Sequence, residues 1–403
     1  MKSIPKRAFR AAVCLALAFS LTVPFFAFAE DEAAVYPPSM ATEPYWYAYA
    51  PSFGDTLPVR GALLMEESTG TVLYAQNEHA RYPIASVTKI MSTLLVAEAI
   101  DEGRIKMEDT VTVGEAAAKM GGSQVYLEAG EQMSVRDLLK AMIVVSANDA
   151  TVAFAEHIAG SEASFVTMMN ERANELGMED TVFKNCHGLN EEGHFSSAYD
   201  VALMTRELLG HKFILEFTNI WMDTIRNGSF GLANTNKLIR FYNGANGMKT
   251  GFTDLAKYCR SATALRDGMQ LIAVVIGAET SDSRFASAKK LLDFGFANYA
   301  VVAPQKEKLG AFAVSGGIKD GIEVDYDPPS ILVPKGKGAS LTSSVTSSEL
   351  RAPVGEGDVV GSVDYYLDGE HIARADIFAC EPDRAIDFWD IFMRVVRSAL
   401  AFY

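Results

Sequence analysis

Ile84–Ile100, IASVTKIMSTLLVAEAI, is an apolar, helix-forming run interrupted near its start by Ser86 and Lys89. The pattern predicts a mostly buried helix over 84–100. Residues three apart on a helix point the same way, so the Ser86 hydroxyl and the Lys89 amine share a face. A serine hydroxyl becomes a strong nucleophile only when a nearby base takes its proton. A lysine in a poorly solvated pocket is such a base, because burial and neighbouring positive charge disfavour its ammonium form. On its own, S-x-x-K is also compatible with a serine that merely caps a helix.

Two further motifs follow in order, Ser146-Ala-Asn148 and Lys249-Thr-Gly251. The series S-x-x-K, S-x-N, K-T-G is shared by class A β-lactamases and penicillin-binding proteins. At these residues the chain resembles the active-site serine penicillin-recognising enzymes. More narrowly, it resembles the D-alanyl-D-alanine carboxypeptidases of the low-molecular-mass penicillin-binding group, peptidase family S11. The resemblance spans roughly residues 55 to 403. It implies that Ser86 is the acylated nucleophile and Lys89 its general base, with Ser146 relaying a proton towards the leaving amine. Asn148 is expected to bond the substrate backbone or Lys89. Lys249 and Thr250 are expected to bind the substrate's terminal carboxylate, Lys249 also lowering the pKa of Lys89. Gly251 allows close approach of the strand backbone. The backbone N–H groups of Ser86 and Phe252 are the implied oxyanion hole.

The implied substrate is a peptidoglycan stem peptide ending in D-Ala-D-Ala, and β-lactams are the implied covalent inhibitors; no cofactor and no metal are implied. Asn185-Cys-His-Gly-Leu189 resembles the family's N-x-x-G-L segment, with Cys186 where proline is common, and Phe252–Cys259 resembles its segment after K-T-G. Cys259 reads as a small buried residue. His187 and His194 read as solvated loop histidines, since other metal ligands are missing. A class A β-lactamase carries E-x-x-L-N between S-x-N and K-T-G. No such segment exists here, and Glu191 and Glu192 do not fit it. A β-lactamase and a sensor that acylates without turnover are the alternative readings. Whether water or an amine accepts the acyl group is not encoded in these motifs.

Periodicity places the motifs. Gly61–Met65 and Thr71–Gln76 flank a turn and predict a hairpin. Helices are predicted over 135–146, 150–158, 162–176 and 283–299, and strands over 256–264 and 269–276. Strands thus open and close a unit over 59–300 with a helical block between them. The expected fold is α+β, an antiparallel sheet covered by helices, as in the serine β-lactamase-like fold of the resembling family. Residues 303–382 are rich in short β-prone runs, glycine and proline, and predict a small all-β domain with a structural or spacer role.

Pro382-Asp383 reads as the start of a last helix over 383–403. Asp387, Asp390, Arg394 and Arg397 form a narrow polar stripe on it. The wide remaining face is apolar and aromatic, including Phe388, Trp389 and Phe392. Such a segment is too charged to span a bilayer comfortably but suits its surface. The competing reading packs this helix on the protein's own core.

The chain has 403 residues, 49% hydrophobic, and a formal net charge of −15. Lys2, Lys6, Arg7 and Arg10 precede an apolar stretch that ends in Ala27-Phe-Ala29, the pattern of a signal peptide cut after Ala29. Cys14 lies inside that stretch, too early for a lipid-modified N-terminus. Cleavage takes the charge to about −19, which gives no broad electrostatic reason to bind nucleic acid. The expected site of action is therefore the outer face of the cytoplasmic membrane. Residues 30–58, rich in proline, read as an extended leader. Cys186, Cys259 and Cys380 cannot all pair, so at least one free, buried thiol is expected.

Overall fold

The computed structural model describes residues 52–400 apart from Ser348. The expected signal peptide, the expected leader as far as residue 51 and the last three residues of the expected terminal helix lie outside the described residues.

The elements that position the motifs are β1 (Gly61–Glu66), β2 (Val72–Gln76), α1 (Lys89–Asp101), α2 (Val135–Val144), α3 (Asn148–Ala159), α4 (Glu162–Glu175), α5 (Ala198–Gly210), β3 (Ala245–Thr253), β4 (Lys257–Arg266), β5 (Met269–Ala278) and α6 (Ser281–Asn298). Their starts are chemically marked. The hydroxyls of Ser134, Ser161, Ser197 and Thr280 accept the backbone N–H three residues on, at the heads of α2, α4, α5 and α6. Helix α3 ends on Gly160 in the left-handed conformation, φ 77°.

The five strands form one antiparallel sheet in the order β2-β1-β5-β4-β3. Strand β5 sits in the middle and is buried along its whole length. Side chains alternate across a strand. Leu63, Met65, Ile272, Val274 and Ile276 therefore join the helical core on one face. Ala62, Leu64, Leu271, Ala273 and Val275 join a second core under α6 on the other. Helix α1 runs through the first core with Ile90, Met91, Leu94, Leu95 and Val96 all buried, as expected of a helix apolar on every side. The predicted hairpin, helices and strands are present with ends shifted by at most two residues, except the helix predicted from 84, whose α-helical part begins at Lys89. Helix α5 was not predicted, because its face carries Asp200, Thr205 and Arg206 among the apolar residues.

Beyond α6 the chain forms β6 (Tyr299–Val302), β7 (Ile331–Pro334), β8 (Leu341–Ser347), β9 (Val359–Leu367) and β10 (Glu370–Ala379), with short strands between them. Strand β6 pairs with β7. The expected boundary at 300–303 therefore falls at a paired strand, and the second core continues across it through Val333, Val363 and Ile377.

The last helix, α7, covers Phe388–Leu400 rather than starting at 383. Asp383 is buried, its backbone pairs with Val354, and its carboxylate accepts N–H bonds from Ile318 and Lys319. A side chain committed to that loop cannot head a helix. Asp387 does so instead, accepting the Asp390 N–H at 2.9 Å. Arg384 pairs with both oxygens of Asp390, and Arg394 donates to the Ile318 carbonyl. The polar stripe is thus tied to the protein. No residue of α7 is buried, and Phe388 and Trp389 are 73% and 67% exposed. The competing reading, a helix packed on the core, is overturned for the described residues. No described helix is long and apolar enough to cross a membrane.

Candidate active site

Ser86 does not lie in the first turn of an α-helix as predicted. It sits in a 3-10 turn, Ala85–Thr88, that leads into α1 at Lys89. Ala85 holds φ at 49°, an uncommon conformation for a side-chain-bearing residue. The turn is fixed from outside by Gly188, whose φ is 86°. A β-carbon there would stand 2.0 Å from the Ala85 carbonyl oxygen. Asn185 shapes that loop, accepting the Gly188 N–H at 2.7 Å and donating to the Leu189 carbonyl. The N-x-x-G-L segment thus acts as a backstop to the turn that carries Ser86.

Lys89 is fully buried, and its Nζ has three close partners. These are the Asn148 Oδ1 and the His187 carbonyl, each at 2.6 Å, and the Ser86 Oγ at 3.2 Å. The first two can only accept. A neutral amine carries two N–H groups and one lone pair, so when both N–H groups serve these acceptors the lone pair is left for the Ser86 hydroxyl. Burial pushes the Lys89 pKa down from 10.5 to about 7. The Asp149 carboxylate opposes this only in part. Cys186, whose own thiol burial holds well above its ordinary value, stays protonated. Asp149 is itself held by the N–H groups of Val125, Leu127 and Ala150 at the head of α3.

Ser146 sits on the turn between α2 and α3, and Asn148 is the first residue of α3. Ser146 has φ at 63°, and its hydroxyl is buried without a hydrogen-bond partner. Asn148 also donates to the Gly121 carbonyl at 2.7 Å, which fixes its amide orientation. The predicted contact of Asn148 with Lys89 is therefore present, and no hydrogen bond fixes the Ser146 hydroxyl.

Lys249, Thr250 and Gly251 lie on the edge strand β3. A β-carbon on Gly251 would stand 2.9 Å from the Ser86 N and 2.8 Å from the Ile84 carbonyl oxygen. The strand thus lies against the Ser86 backbone. Lys249 is buried and donates to the Thr250 carbonyl at 2.9 Å. Burial first, and then the charges of Lys89 and Arg284, hold its pKa well below the usual lysine range. The expected depression of Lys89 has burial as its main cause. The Thr250 hydroxyl bonds that of Thr235 at 2.9 Å. Phe252 is 48% exposed and packs on Tyr258.

The reading of His187 and His194 as solvated is wrong. Both are buried beside the turn that carries Ser86. His194 Nδ1 accepts the Lys184 N–H, so Nε2 carries the proton and donates to Thr88 Oγ1 at 2.8 Å. His187 Nδ1 accepts the Leu189 N–H, and Nε2 lies 3.3 Å from Glu162. Burial lowers their pKa values to about 3 for His187 and about 4 for His194, so both are neutral supports. Among the described residues no group of three or more His, Cys, Asp or Glu side chains is placed to hold a metal. Cys186 and Cys259 are buried free thiols, Cys380 an exposed one. Sequence reasoning also missed Thr235 and Arg284, which reach the K-T-G strand from distant segments and carry no motif.

The chain is similar to known proteins in sequence and fold. Residues 51–280 match the family model described as D-alanyl-D-alanine carboxypeptidase. Residues 307–382 match the model of the penicillin-binding protein 5 C-terminal domain. The chain is 43% identical to the D-alanyl-D-alanine carboxypeptidase DacF of Bacillus subtilis over 82% of this chain and 87% of that protein. It is 36% identical to DacC of Escherichia coli over 81% and 84%. Penicillin-binding protein 5 of Haemophilus influenzae superposes with a TM-score of 0.74 at 32% identity, covering 82% of this chain and 98% of that one. Penicillin-binding protein D2 of Listeria monocytogenes in its ampicillin-bound form gives 0.56 at 34% identity, covering 61% of this chain and 100% of that one.

Proposed function

The chain belongs to the D-alanyl-D-alanine carboxypeptidase family of serine hydrolases, and from that premise we propose that Ser86 carries the acyl group in the release of terminal D-alanine from peptidoglycan stem peptides. The observation that supports this most is the orientation of Lys89, whose two obligate acceptors leave its lone pair to the Ser86 hydroxyl. In the first half-reaction Ser86 Oγ attacks the penultimate carbonyl carbon while its proton passes to Lys89 Nζ. The oxyanion that forms is met by the N–H groups of Ser86 and Phe252, preorganised by strand β3 against the turn. Collapse breaks the C–N bond. The departing amine takes the proton from Lys89, with the unpartnered Ser146 hydroxyl as relay. Water then attacks the ester, gives its proton to Lys89, and Ser86 recovers a proton as the ester C–O bond breaks.

A β-lactam presents a strained amide beside a carboxylate and follows the first half-reaction into the same ester. Lys249 and Thr250 carry the polar end of either ligand. In this reading residues 59–300 hold the chemistry and 303–382 act as a spacer. The exposed aromatic face of α7 rests in a membrane surface on the outer side of the cytoplasmic membrane, where the enzyme trims cell wall. The first test is free D-alanine released from a pentapeptide muropeptide, comparing wild type with Ser86→Ala. Release and labelling by a fluorescent penicillin are expected to vanish together in the variant, and unchanged release refutes the assignment. Labelling of wild type without any release of D-alanine points instead to a sensor that does not turn over.

A further inference from the structure

The amine of Lys89 takes part of its orientation from the His187 carbonyl, at 2.6 Å, and that carbonyl belongs to a loop. Residues 183–189 form neither helix nor strand. A general base held by an unsupported loop would wander, so the ties on this loop bear on the chemistry. Helix α1 supplies one tie, the Ser92 hydroxyl donating to the Cys186 carbonyl at 2.6 Å. Helix α4 supplies more. Asn170 both accepts the Phe183 N–H and donates to the Phe183 carbonyl, each at 2.9 Å. Glu162, the first residue of α4, reaches the middle of the loop. Its Oε1 accepts the Cys186 N–H at 3.1 Å and the Cys186 thiol at 3.3 Å, and His187 Nε2 lies 3.3 Å from the same oxygen. His187 Nδ1 accepts the Leu189 N–H, so the proton of the neutral ring sits on Nε2 and faces the carboxylate. Donors from two adjacent loop residues thus converge on one oxygen, which the Ser161 cap at the head of α4 helps to place.

We propose that Glu162 is a positioning residue for the general base, holding the Cys186–His187 segment so that the His187 carbonyl stays where the Lys89 amine needs it. The inference rests on the proposed role of Lys89. Glu162 acts through the loop and not by touching the reacting atoms. Lys89 Nζ gives two N–H groups to Asn148 and to His187, and its lone pair meets the Ser86 hydroxyl only while both acceptors keep their places. Asn148 is fixed by its own bond to the Gly121 carbonyl. The His187 carbonyl depends instead on what holds Cys186 and His187. A shift of about 1 Å in such an acceptor turns the lone pair away from Ser86, and misplacements of that size cost about a hundredfold in rate. The penalty falls on bond making rather than on docking of the ligand. Lys249 and Thr250, which carry the ligand's polar end in the proposed reaction, stand on β3 and not on this loop. What the loop requires of Glu162 is the reach of an acceptor oxygen, not its charge.

The test compares two conservative variants. Glu162→Gln keeps an acceptor oxygen at the same reach without the charge. Glu162→Asp keeps the charge but draws it back by roughly 1.5 Å, one carbon–carbon bond, out of hydrogen-bonding range of the Cys186 N–H. Acylation by a fluorescent penicillin is followed over a range of concentrations, which separates the rate at saturation from the dissociation constant of the complex that precedes it. Glu162→Asp is expected to lower the saturating rate by about 10- to 100-fold, and Glu162→Gln by no more than about threefold, with the dissociation constant little changed in both. Amide hydrogen exchange at Cys186 is expected to quicken in Glu162→Asp and to hold in Glu162→Gln, which reads the tie itself in the folded protein. Equal losses of rate in the two variants, or none in either, overturn the proposal. So does a loss expressed in the dissociation constant, or quickened exchange at Cys186 with acylation as in wild type, since either assigns Glu162 a merely structural role. Wild type that is not acylated at all, or Lys89→Met acylated as fast as wild type, refutes the parent reading and this inference with it, whatever the Glu162 variants do.

Discussion

Replacing Lys89 with methionine tests the base and the fold in one experiment. The side chain is fully buried, and its pKa falls from 10.5 to about 7 on folding. At about 1.36 kcal/mol for each pH unit, that fall amounts to roughly 5 kcal/mol. Between those two values the unfolded chain holds the proton that the folded chain has released, so stability rises with pH across the window. Between about pH 7 and pH 9, linkage gives a rise of roughly 2 kcal/mol for this one group. Lys89→Met has no proton to release and lacks that rise. The assay is urea unfolding of both proteins at the two pH values, alongside the rate of acylation by a fluorescent penicillin. Wild-type acylation is expected to climb as pH passes through about 7, where the amine becomes neutral, and the variant's is expected to be lost. Parallel stability profiles for the two proteins, or acylation that is flat from pH 5 to 9, refute the reasoning.

Gly188→Ala forces a β-carbon into the Ala85 carbonyl at a positive φ. A loss of about 3 kcal/mol or more and slower acylation are expected, measured by thermal unfolding and penicillin labelling; near-wild-type values for both dismiss the backstop role. Because folding lowers the His194 pKa from 6.5 to about 4, stability is lost as pH falls through that window, by roughly 3 kcal/mol in all. His194→Gln is expected to flatten that acid limb in unfolding curves, and an unchanged slope contradicts its buried, neutral state. For α7, serine at Phe388 and Trp389 removes apolar side chains worth roughly 1.5–3 kcal/mol each when buried. Binding to anionic lipid vesicles is expected to fall by at least tenfold in cosedimentation with D-alanine release intact; unchanged binding counts against a membrane-resting helix.

What could be read from the sequence depended on whether a residue's chemistry is local. Ser86 and Lys89 were legible because one helical turn sets their relation, and the hairpin over 61–76 was legible because alternation and its turn lie side by side. His187 and His194 misled because their burial is produced by Thr88, Lys184, Leu189 and Glu162, none of which forms a pattern with them. The start of α7 was misplaced because Asp383 satisfies loop N–H groups from 318 and 319, a choice that only tertiary structure makes. Arg260 and Arg284 gave no signal at all. An arginine in a strand or helix ordinarily reads as a solvated surface residue, and here both are buried.

The strand order has a consequence for how the molecule assembles. Strand β1 is made early, yet its buried neighbour on the inner side of the sheet is β5, some two hundred residues later. The K-T-G strand joins the sheet only through β4, and β4 only through β5. Contacts this far apart in sequence must overcome a large loop-closure entropy and form slowly. Within the sheet, the strand that carries Lys249 is therefore linked to β1 only through Met269–Ala278 and β4. A chain stopped short of β5 is expected to retain much of its helical block while leaving β3 and β4 without their place in the sheet.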